Sequence, residues 1–176
     1  MRVFAVSGFA KTGKTTTIAA MIGELVRRGY QVGTVKDSRC PGLTLEQAGT
    51  DTAIHRAAGA AQVALRTLSE TNLMFPERLP LQEILSHYQQ DIIILEGFSQ
   101  YEIPKIVTGI LPFDVKAKQT ASTFAVSGVI SNELQMCQGL PVINALTQVE
   151  TLCDLVLAKV EDRLPACYKE LLTAVG

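Results

Sequence analysis

The strongest indication of the fold lies in one segment, Val3-Phe4-Ala5-Val6-Ser7-Gly8-Phe9-Ala10-Lys11-Thr12-Gly13-Lys14-Thr15. Its first part, Val3–Ser7, is a continuous apolar run of strand length, which predicts a strand buried on both faces. After Thr15, apolar residues recur at helical spacing, so we expect an amphipathic helix to follow the strand. The apolar face of that helix consists of Ile18, Ile22, Leu25 and Val26. A strand and a helix joined by a glycine-containing loop are typical of a parallel α/β sheet.

The loop between the strand and the helix has a pattern that is typical of phosphate binding. Residues Gly8 to Thr15 match G-x-x-x-x-G-K-[ST], the P-loop, at every fixed position. Gly8 and Gly13 allow backbone conformations and a close approach that a Cβ atom would block. Backbone amides and the N-terminus of the helix then attract phosphate oxygens. A glycine turn without a ligand would explain the glycines, but not Lys14 and Thr15 at these positions.

The P-loop predicts a nucleoside triphosphate and Mg²⁺ as ligands. Lys14 is expected to reach the β- and γ-phosphates and to be catalytic, and the Thr15 hydroxyl is expected to bind Mg²⁺. Lys11 is a further cation in the loop, which either touches phosphate or a partner subunit or stays in solvent. The residues predicted to bind the nucleotide are Gly8, Phe9, Ala10, Lys11, Thr12, Gly13, Lys14, Thr15 and Thr16.

The remainder of the chain alternates between strand-length apolar runs and amphipathic helical segments. The predicted strands are Val3–Ser7, Gln31–Lys36, Gln62–Leu65, Asp91–Leu95, Lys105–Val107, Thr123–Val129 and Pro141–Ile143. Helices are predicted after Pro80 and after Thr147, where Thr147 and Glu150 fit a capping box. The predicted fold is α/β: a three-layer, P-loop NTPase-like domain over residues 1–176, with a mostly parallel twisted sheet and helices on both faces.

Carboxylates at strand ends are the candidates for metal binding and catalysis. Glu96 directly follows the buried strand Asp91–Leu95, at the end where ligands bind in such sheets. Asp91 lies at the opposite end of that strand, some 17 Å away at about 3.3 Å per residue. Glu96 is therefore predicted to bind the metal and to be catalytic; the alternative is an exposed loop carboxylate.

A second group of candidates surrounds the long loop 38–49. Asp37 ends a predicted strand and is a candidate catalytic residue, or else only a turn-forming aspartate. Lys36, Glu46 and Asp51 are predicted to lie around this substrate-side loop, because long loops are often functional. Thr50 or Asp51 could also simply cap the helix that follows.

Composition excludes several classes of partner. The formal net charge is -1, so no whole-chain basic field attracts nucleic acid or anionic lipid. No apolar run approaches the roughly 18 residues that a bilayer requires, so no membrane partner is predicted. The four cysteines form no CxxC pair, and we expect a reduced, cytoplasmic protein.

The order of the motifs resembles a known family. The segments that carry the resemblance after the P-loop are Gly33–Lys36, Ala48–Thr52, Arg56–Ala60, Ile94–Phe98, Ile103–Ile106 and Gly139–Val142. They are similar to the molybdopterin-guanine dinucleotide biosynthesis protein B (MobB) family over nearly the whole chain. The resemblance implies a homodimeric accessory protein that binds GTP (or ATP) with Mg²⁺ and is a weak GTPase. The partners it implies are molybdopterin and a nucleotidyltransferase or a molybdoenzyme, with Glu96 as the carboxylate of the second nucleotide motif.

This chain departs from the family pattern at three places. Asp37 stands where the family usually has histidine, Ser127-Gly128 where many members have aspartate, and Asn144 where an acidic residue is usual. The departures indicate a divergent member, and they leave the base and the substrate open. Asn132 and Asn144 lie in late loops where base contacts could occur. Two other functions fit the same motifs: a small-molecule kinase with Glu96 as base, or a nucleotide-stabilised binding module for another metal-cofactor pathway.

The subunit interface has two candidate segments. Lys105–Thr108 and the stretch around Pro112–Phe113 are the positions where a second subunit is expected to pair.

Overall fold

A parallel sheet of five strands forms the centre of the described structure. From one edge to the other, its strands are Val32–Lys36, Ile92–Glu96, Arg2–Gly8, Lys105–Thr108 and Thr123–Ser127. The computed structural model describes residues 1–40, 42–44 and 46–162. The strands are β1 (Arg2–Gly8), β2 (Val32–Lys36), β3 (Val63–Arg66), β4 (Thr71–Met74), β5 (Ile92–Glu96), β6 (Lys105–Thr108), β7 (Thr123–Ser127), β8 (Met136–Cys137) and β9 (Leu140–Pro141). The helices are α1 (Lys14–Arg27), α2 (Asp51–Ala57), α3 (Leu81–Ser86), α4 (Pro112–Lys118) and α5 (Val149–Lys159), with a 3₁₀ helix at Val129–Asn132.

Helices cover both faces of the sheet, which confirms the predicted three-layer α/β fold. Alternate residues of β1 point to opposite faces, as the pleat requires. Phe4 packs in one core with Met21 of α1 and Leu152 of α5. Val3 belongs to the second core, together with Leu85 of α3. The continuous apolar runs of β1 and β5 therefore reflect burial on both sides.

Two of the predicted strands lie outside the central sheet or are shorter than expected. The segment predicted at Gln62–Leu65 forms β3, which pairs antiparallel with β4 in a separate hairpin. Only Val63 of β3 is buried, so this strand does not have the two covered faces of a central strand. The strand predicted at Pro141–Ile143 is mostly replaced by the short β8–β9 hairpin, although Val142 forms one parallel bridge to Val126.

Two local predictions are corrected by the structure. The capping box of Thr147 and Glu150 is wrong, because α5 begins after Gln148 and no side chain caps it. The amides of Thr147 and Gln148 both bond to the Asn144 carbonyl, and this turn moves the start of the helix. Lys105–Thr108 cannot pair with a second subunit, since all four residues are buried and β6 pairs with β1 and β7.

The predicted cap at Thr50 is confirmed. Its hydroxyl accepts a hydrogen bond from the Ala53 amide at 3.4 Å at the start of α2. Pro112 and Phe113 begin α4, a helix that the sequence patterns did not predict.

An ion-pair network joins α1 to α5 on one face of the sheet. Glu24, whose side chain is only 6% exposed, accepts from Arg27 Nε at 2.7 Å and from Arg28 Nε at 2.5 Å. Arg28 also donates to Asp154 of α5 at 2.5 Å. Hydrogen bonds from the two guanidinium groups lower the pKa of Glu24 from 4.5 to about 2. The ionised carboxylate thus organises both arginines at the end of α1.

Replacement of Glu24 by glutamine is expected to lower the free energy of unfolding at neutral pH. Because the folded-state pKa is depressed, the stabilisation is present above pH 4.5 and is lost as the pH falls towards about 2. The difference between Glu24→Gln and the parent should therefore shrink over that pH window in urea unfolding followed by circular dichroism. Glu150→Gln is the control, since Glu150 is exposed and its single pair with Arg27 at 3.3 Å should contribute little. A deficit in Glu24→Gln that does not change with pH would contradict the assignment.

Candidate nucleotide site

The P-loop follows β1 and leads directly into α1. Gly13 occupies the N-cap position of α1 with φ 96° and ψ 13°, a left-handed conformation that favours glycine. Lys11 also has a positive φ of 62°. The amides in the first turn of α1 have no partner within the helix, so this end of the helix can bind anionic oxygens. The predicted strand, loop and helix are thus present at the predicted positions.

The ends of β6 and β7 hold the P-loop in place. The Thr12 hydroxyl lies 2.7 Å from the Thr108 hydroxyl and donates to the Phe9 carbonyl at 2.9 Å. The Thr12 carbonyl accepts from the Val129 amide at 3.2 Å. A Cβ atom on Gly128 would lie 2.1 Å from that carbonyl oxygen, so only glycine fits. This contact gives a structural reason for glycine at position 128 in this chain, because the residue there must allow the P-loop to approach.

Gly8 is required for a similar reason. A Cβ atom at this position would lie 2.4 Å from both the carbonyl oxygen and the hydroxyl oxygen of Thr108. The first fixed glycine of the motif therefore serves the packing of the loop against β6.

The Lys14 side chain contacts the loop that precedes it. Its Nζ donates to the Gly8 carbonyl at 3.1 Å and to the Phe9 carbonyl at 2.6 Å. Burial is the main cause that lowers the pKa of Lys14, Glu96 acts in the opposite sense, and Lys36 and Lys118 add to the lowering. An anion at this position would favour the charged ammonium, because it would supply the charge partner that the carbonyls only partly replace.

Glu96 lies beside Thr15, where the prediction placed it. The Thr15 hydroxyl donates to Glu96 Oε1 at 3.3 Å, and Lys36 Nζ lies 3.2 Å from the same oxygen. The Glu96 side chain is 15% exposed, so it is not a freely solvated loop carboxylate. A hydroxyl and a carboxylate oxygen are ligands that Mg²⁺ accepts alongside phosphate oxygens. In the described residues no group of three or more His, Cys, Asp or Glu could hold a metal alone, so the phosphates would have to complete the coordination.

The turn after Glu96 is fixed by a buried lysine. Gly97 and Phe98 both have positive φ, 98° and 51°. Lys105 is fully buried, and its Nζ donates to the carbonyls of Ser99 at 3.2 Å and Tyr101 at 2.6 Å. These bonds close the turn. They also give a structural reason why Ile94–Phe98 and Ile103–Ile106, two segments on which the family resemblance rests, occur together in the sequence.

Asp37 lies near Glu96 but has its own partner. Its amide donates to the Glu96 carbonyl at 3.0 Å, so Asp37, directly after β2, lies beside Glu96 at the end of β5. The Asp37 carboxylate, 11% exposed, accepts from Arg78 at 2.5 Å. Arg78, an isolated arginine in the sequence, is therefore the partner that holds Asp37, and no described contact links this carboxylate to Lys14 or Thr15.

Glu46 and Asp51 are separate from the cluster around Glu96. Glu46 pairs with Arg56 of α2 at 3.0 Å, and its side chain is buried. Asp51 is an exposed residue in the first turn of α2. Among the described contacts none joins either carboxylate to the P-loop, whereas Lys36 does contact Glu96.

Lys118 is a cation near the P-loop that the sequence patterns did not single out. Its Nζ lies 4.5 Å from the centre of the Phe9 ring, and its charge contributes to the lowered pKa of Lys14. It lies at the end of α4, and nothing in its spacing from the P-loop signals the contact. Thr108 was missed for the same reason.

Two cavities adjoin the P-loop region. One, of about 810 Å³, lies at the end of β2 and has an apolar and aromatic lining with Lys36, Asp37 and Arg78 at its polar part. The other, of about 140 Å³, is bounded by Gly13, Thr16 and Thr17 on one side and by residues after β7 and β9 on the other. The smaller cavity thus borders the P-loop itself, whereas the larger one is connected to the candidate site through Lys36, which contacts Glu96.

A sequence model of one protein family, described as Molybdopterin guanine dinucleotide synthesis protein B, matches residues 3–132. The chain belongs to this family, MobB. A probable molybdopterin-guanine dinucleotide biosynthesis adapter protein of Bacillus subtilis (strain 168) is 30% identical over 145 residues, covering 80% of this chain and 83% of that protein. The molybdopterin-guanine dinucleotide biosynthesis adapter protein of Escherichia coli (strain K12) is 33% identical over 112 residues, covering 60% of this chain and 63% of that protein.

Solved MobB structures share the fold. The crystal structure of Bacillus subtilis MobB has a TM-score of 0.75 at 26% identity and covers 93% of this chain and 100% of that chain. A MobB homolog from Bacillus stearothermophilus has a TM-score of 0.67 at 25% identity, with 90% and 98% of the two chains covered. The predicted family and the P-loop NTPase-like α/β fold are thereby confirmed. No helix in the described part of this MobB chain is both long and apolar enough to cross a membrane.

The contact between Gly128 and the P-loop can be tested by a single methyl group. Gly128→Ala would place a Cβ atom against the Thr12 carbonyl, so we expect a lower melting temperature and weaker nucleoside triphosphate binding. Gly23→Ala in α1 is the matched control, because a Cβ atom there meets no atom within 4 Å. That control should stabilise the protein by about 0.5–1 kcal/mol, as alanine does in a helix interior. Unchanged binding by Gly128→Ala in calorimetry would contradict the proposed role of this contact.

Proposed function

We propose that this chain is a GTP-binding accessory protein of molybdopterin guanine dinucleotide biosynthesis with slow Mg²⁺-dependent GTPase activity. One observation carries the proposal: Lys14, Thr15 and Glu96 come together at the start of α1, although Glu96 is far from the P-loop in sequence. The names of the adapter proteins that this chain resembles support the pathway.

The residues around the loop divide the binding of the triphosphate among them. Lys14 would bind the β- and γ-phosphates, with Lys36 and Lys118 as additional cations nearby. Thr15 and Glu96 would hold Mg²⁺, which supplies neutralisation of phosphate charge when it is bound. Thr12 keeps the loop in the shape that presents its amides.

Slow turnover is consistent with the partners of the acidic groups. Glu96 is engaged by Thr15 and Lys36, and Asp37 by Arg78. A general base must be within hydrogen-bonding reach of the attacking water, with an oxygen available to accept its proton. In the described part of the site, both carboxylates already bind other side chains, which supports a binding or switching role over rapid hydrolysis.

The cavity of about 810 Å³ supports the accessory role. It is lined by aromatic side chains, including Phe98 and Tyr101, and its Lys36 also contacts Glu96. A planar pterin would suit the aromatic lining, and Arg78 or Lys36 would suit an anionic group on the same ligand. We propose molybdopterin as this ligand, with a nucleotidyltransferase or molybdoenzyme and a second copy of the chain as protein partners.

A small-molecule kinase is the second candidate, because the same cavity shares Lys36 with the Glu96 cluster. The two functions differ in how a second ligand affects hydrolysis. A kinase substrate would stimulate release of the nucleoside diphosphate well above the basal rate and would itself become phosphorylated. Molybdopterin binding without phosphorylation would favour the accessory role, which a coupled assay and mass spectrometry can separate.

Lys14→Ala tests the phosphate assignment. We expect roughly 10- to 100-fold weaker GTP binding by calorimetry, since charge-assisted hydrogen bonds contribute about 1.5–3 kcal/mol. The fold should persist, because the described hydrogen bonds of the Lys14 side chain go to two loop carbonyls. Lys116→Ala, the loss of an exposed lysine in the last turn of α4, is the control with the same charge change. Equal loss in both variants would indicate a nonspecific charge effect and would overturn the assignment.

Glu96→Gln tests the metal assignment. In this variant we expect the tighter GTP binding that Mg²⁺ confers on the parent to disappear, so that affinities with Mg²⁺ and with EDTA become similar. Asp91→Asn is the matched control at the other end of β5, where the described hydrogen bond of the Asp91 carboxylate is the one it accepts from the Gln31 amide. If Glu96→Gln retained the full Mg²⁺ dependence, Glu96 would not be part of the metal site.

A further inference from the structure

The smaller cavity lies on the side of the P-loop where a nucleoside would be expected. Gly13, Thr16 and Thr17 form one wall, directly beside the residues that would hold the phosphates. The opposite wall is formed by Ser127 to Val129, Ser131, Asn132 and Asn144 to Leu146. A ligand that binds its phosphates at Lys14 and Thr15 can therefore extend from the loop into this cavity.

The cavity has the surface that a planar polar ring requires. Val129 and Leu146 are exposed apolar side chains on its rim, and both can cover the faces of a ring. Ser127 is fully buried and also lines the cavity, and its hydroxyl has no partner among the described residues. An unpartnered buried hydroxyl indicates a polar ligand or water at this place.

Two asparagines form the polar edge of the cavity, and their orientations are determined by the backbone. The Leu146 amide can only donate, so the Asn144 oxygen must face it, at 2.9 Å. The Asn144 amide nitrogen then faces Asn132 and donates to its oxygen at 2.9 Å. Each side-chain oxygen thus already accepts one hydrogen bond.

After these hydrogen bonds are formed, the asparagine pair has more unused hydrogen-bond donors than unused acceptors. Among the described contacts, both hydrogens of the Asn132 amide and the second hydrogen of the Asn144 amide have no acceptor. No described residue in the lining of this cavity carries a carboxylate. The edge of the cavity can therefore donate hydrogen bonds readily, and it lacks the strong acceptors that N–H groups of a base would need.

Purine bases differ in the edge they present to such donors. Guanine and other 6-oxopurines present two acceptors, O6 and N7, whereas adenine presents an acceptor at N7 and an amino donor at C6. We propose that Asn132 and Asn144 read the O6/N7 edge of a 6-oxopurine nucleotide and do not read the 2-amino group of guanine. The inference rests on the proposed nucleotide binding and names the class of base that this cavity selects.

The proposal is tested with GTP, ITP and ATP, since ITP has O6 and N7 but no 2-amino group. Calorimetry with Mg²⁺ should give affinities for GTP and ITP within about threefold of each other and an affinity for ATP at least about tenfold weaker. Tenfold weaker binding of ITP than of GTP would show that the 2-amino group is read. Equal binding of GTP and ATP would show that the cavity does not discriminate. Either result would overturn the inference while leaving the P-loop assignment intact.

A substitution at Asn132 tests the residue itself. Asn132→Asp replaces donors by acceptors, so the ratio of GTP to ATP affinity should fall at least about tenfold. Asn132 is exposed, so the melting temperature should change little. Glu133→Gln, at a neighbouring exposed residue that does not line the cavity, should leave the ratio unchanged. An unaltered ratio in Asn132→Asp would overturn the proposal.

The failure of the proposed function would look different from the failure of this inference. If neither GTP, ITP nor ATP bound, and Lys14→Ala behaved as the parent, both the phosphate site and the base assignment would be wrong. If all three bound and only Lys14→Ala lost them, with no effect of Asn132→Asp, the phosphate site would stand and the base assignment alone would fail.

Discussion

The approach of the Thr12 carbonyl to Gly128 and Val129 is the contact on which the candidate site depends. It joins the P-loop to the end of β7, and the Thr12–Thr108 hydroxyl pair joins the same loop to the end of β6. Because the Val129 amide begins the 3₁₀ helix that carries Asn132, the wall of the smaller cavity is fixed relative to the phosphate loop. The phosphate and base positions that we propose therefore belong to one connected unit, whose geometry depends on two positions that tolerate no Cβ atom, Gly8 and Gly128.

The sequence predicted those features whose causes are local. The P-loop motif specifies glycine conformations, a lysine and a hydroxyl within eight consecutive residues, so its structure follows from neighbouring positions. β1 and β5 were predicted because four or more consecutive apolar residues require two covered faces. Glu96 was predicted because parallel strands end at a common edge, and its contact with Thr15 confirms that argument.

The features that the sequence did not predict arise from pairs that are distant along the chain. Lys118 contacts the Phe9 ring, Arg78 forms an ion pair with Asp37, and Arg56 forms one with Glu46. The periodicity of the sequence predicts none of these three pairs. Of the β3–β4 hairpin, only β3 was predicted as a strand, and neither β4 nor the separate sheet was predicted, since the mostly exposed residues of both strands resemble those of any edge strand. The start of α5 shifted because the Asn144 carbonyl accepts from the Thr147 amide, which the capping box would have used, and from the Gln148 amide.

The charge of the site shows why whole-chain properties say little about the ligand. The chain has a formal net charge of -1, yet burial lowers the pKa of Lys14, Glu96 opposes this effect, and the nearby Lys36 and Lys118 add to the lowering. Partial burial strengthens these interactions, because less water screens them. Electrostatic repulsion between these ammonium groups is thus unfavourable, and a bound polyanion would reduce it. The same polyanion would replace the carbonyls of Gly8 and Phe9 as the partner of Lys14. The proposed triphosphate with Mg²⁺ would satisfy both conditions, with Thr15 and Glu96 as the residues that would hold the metal.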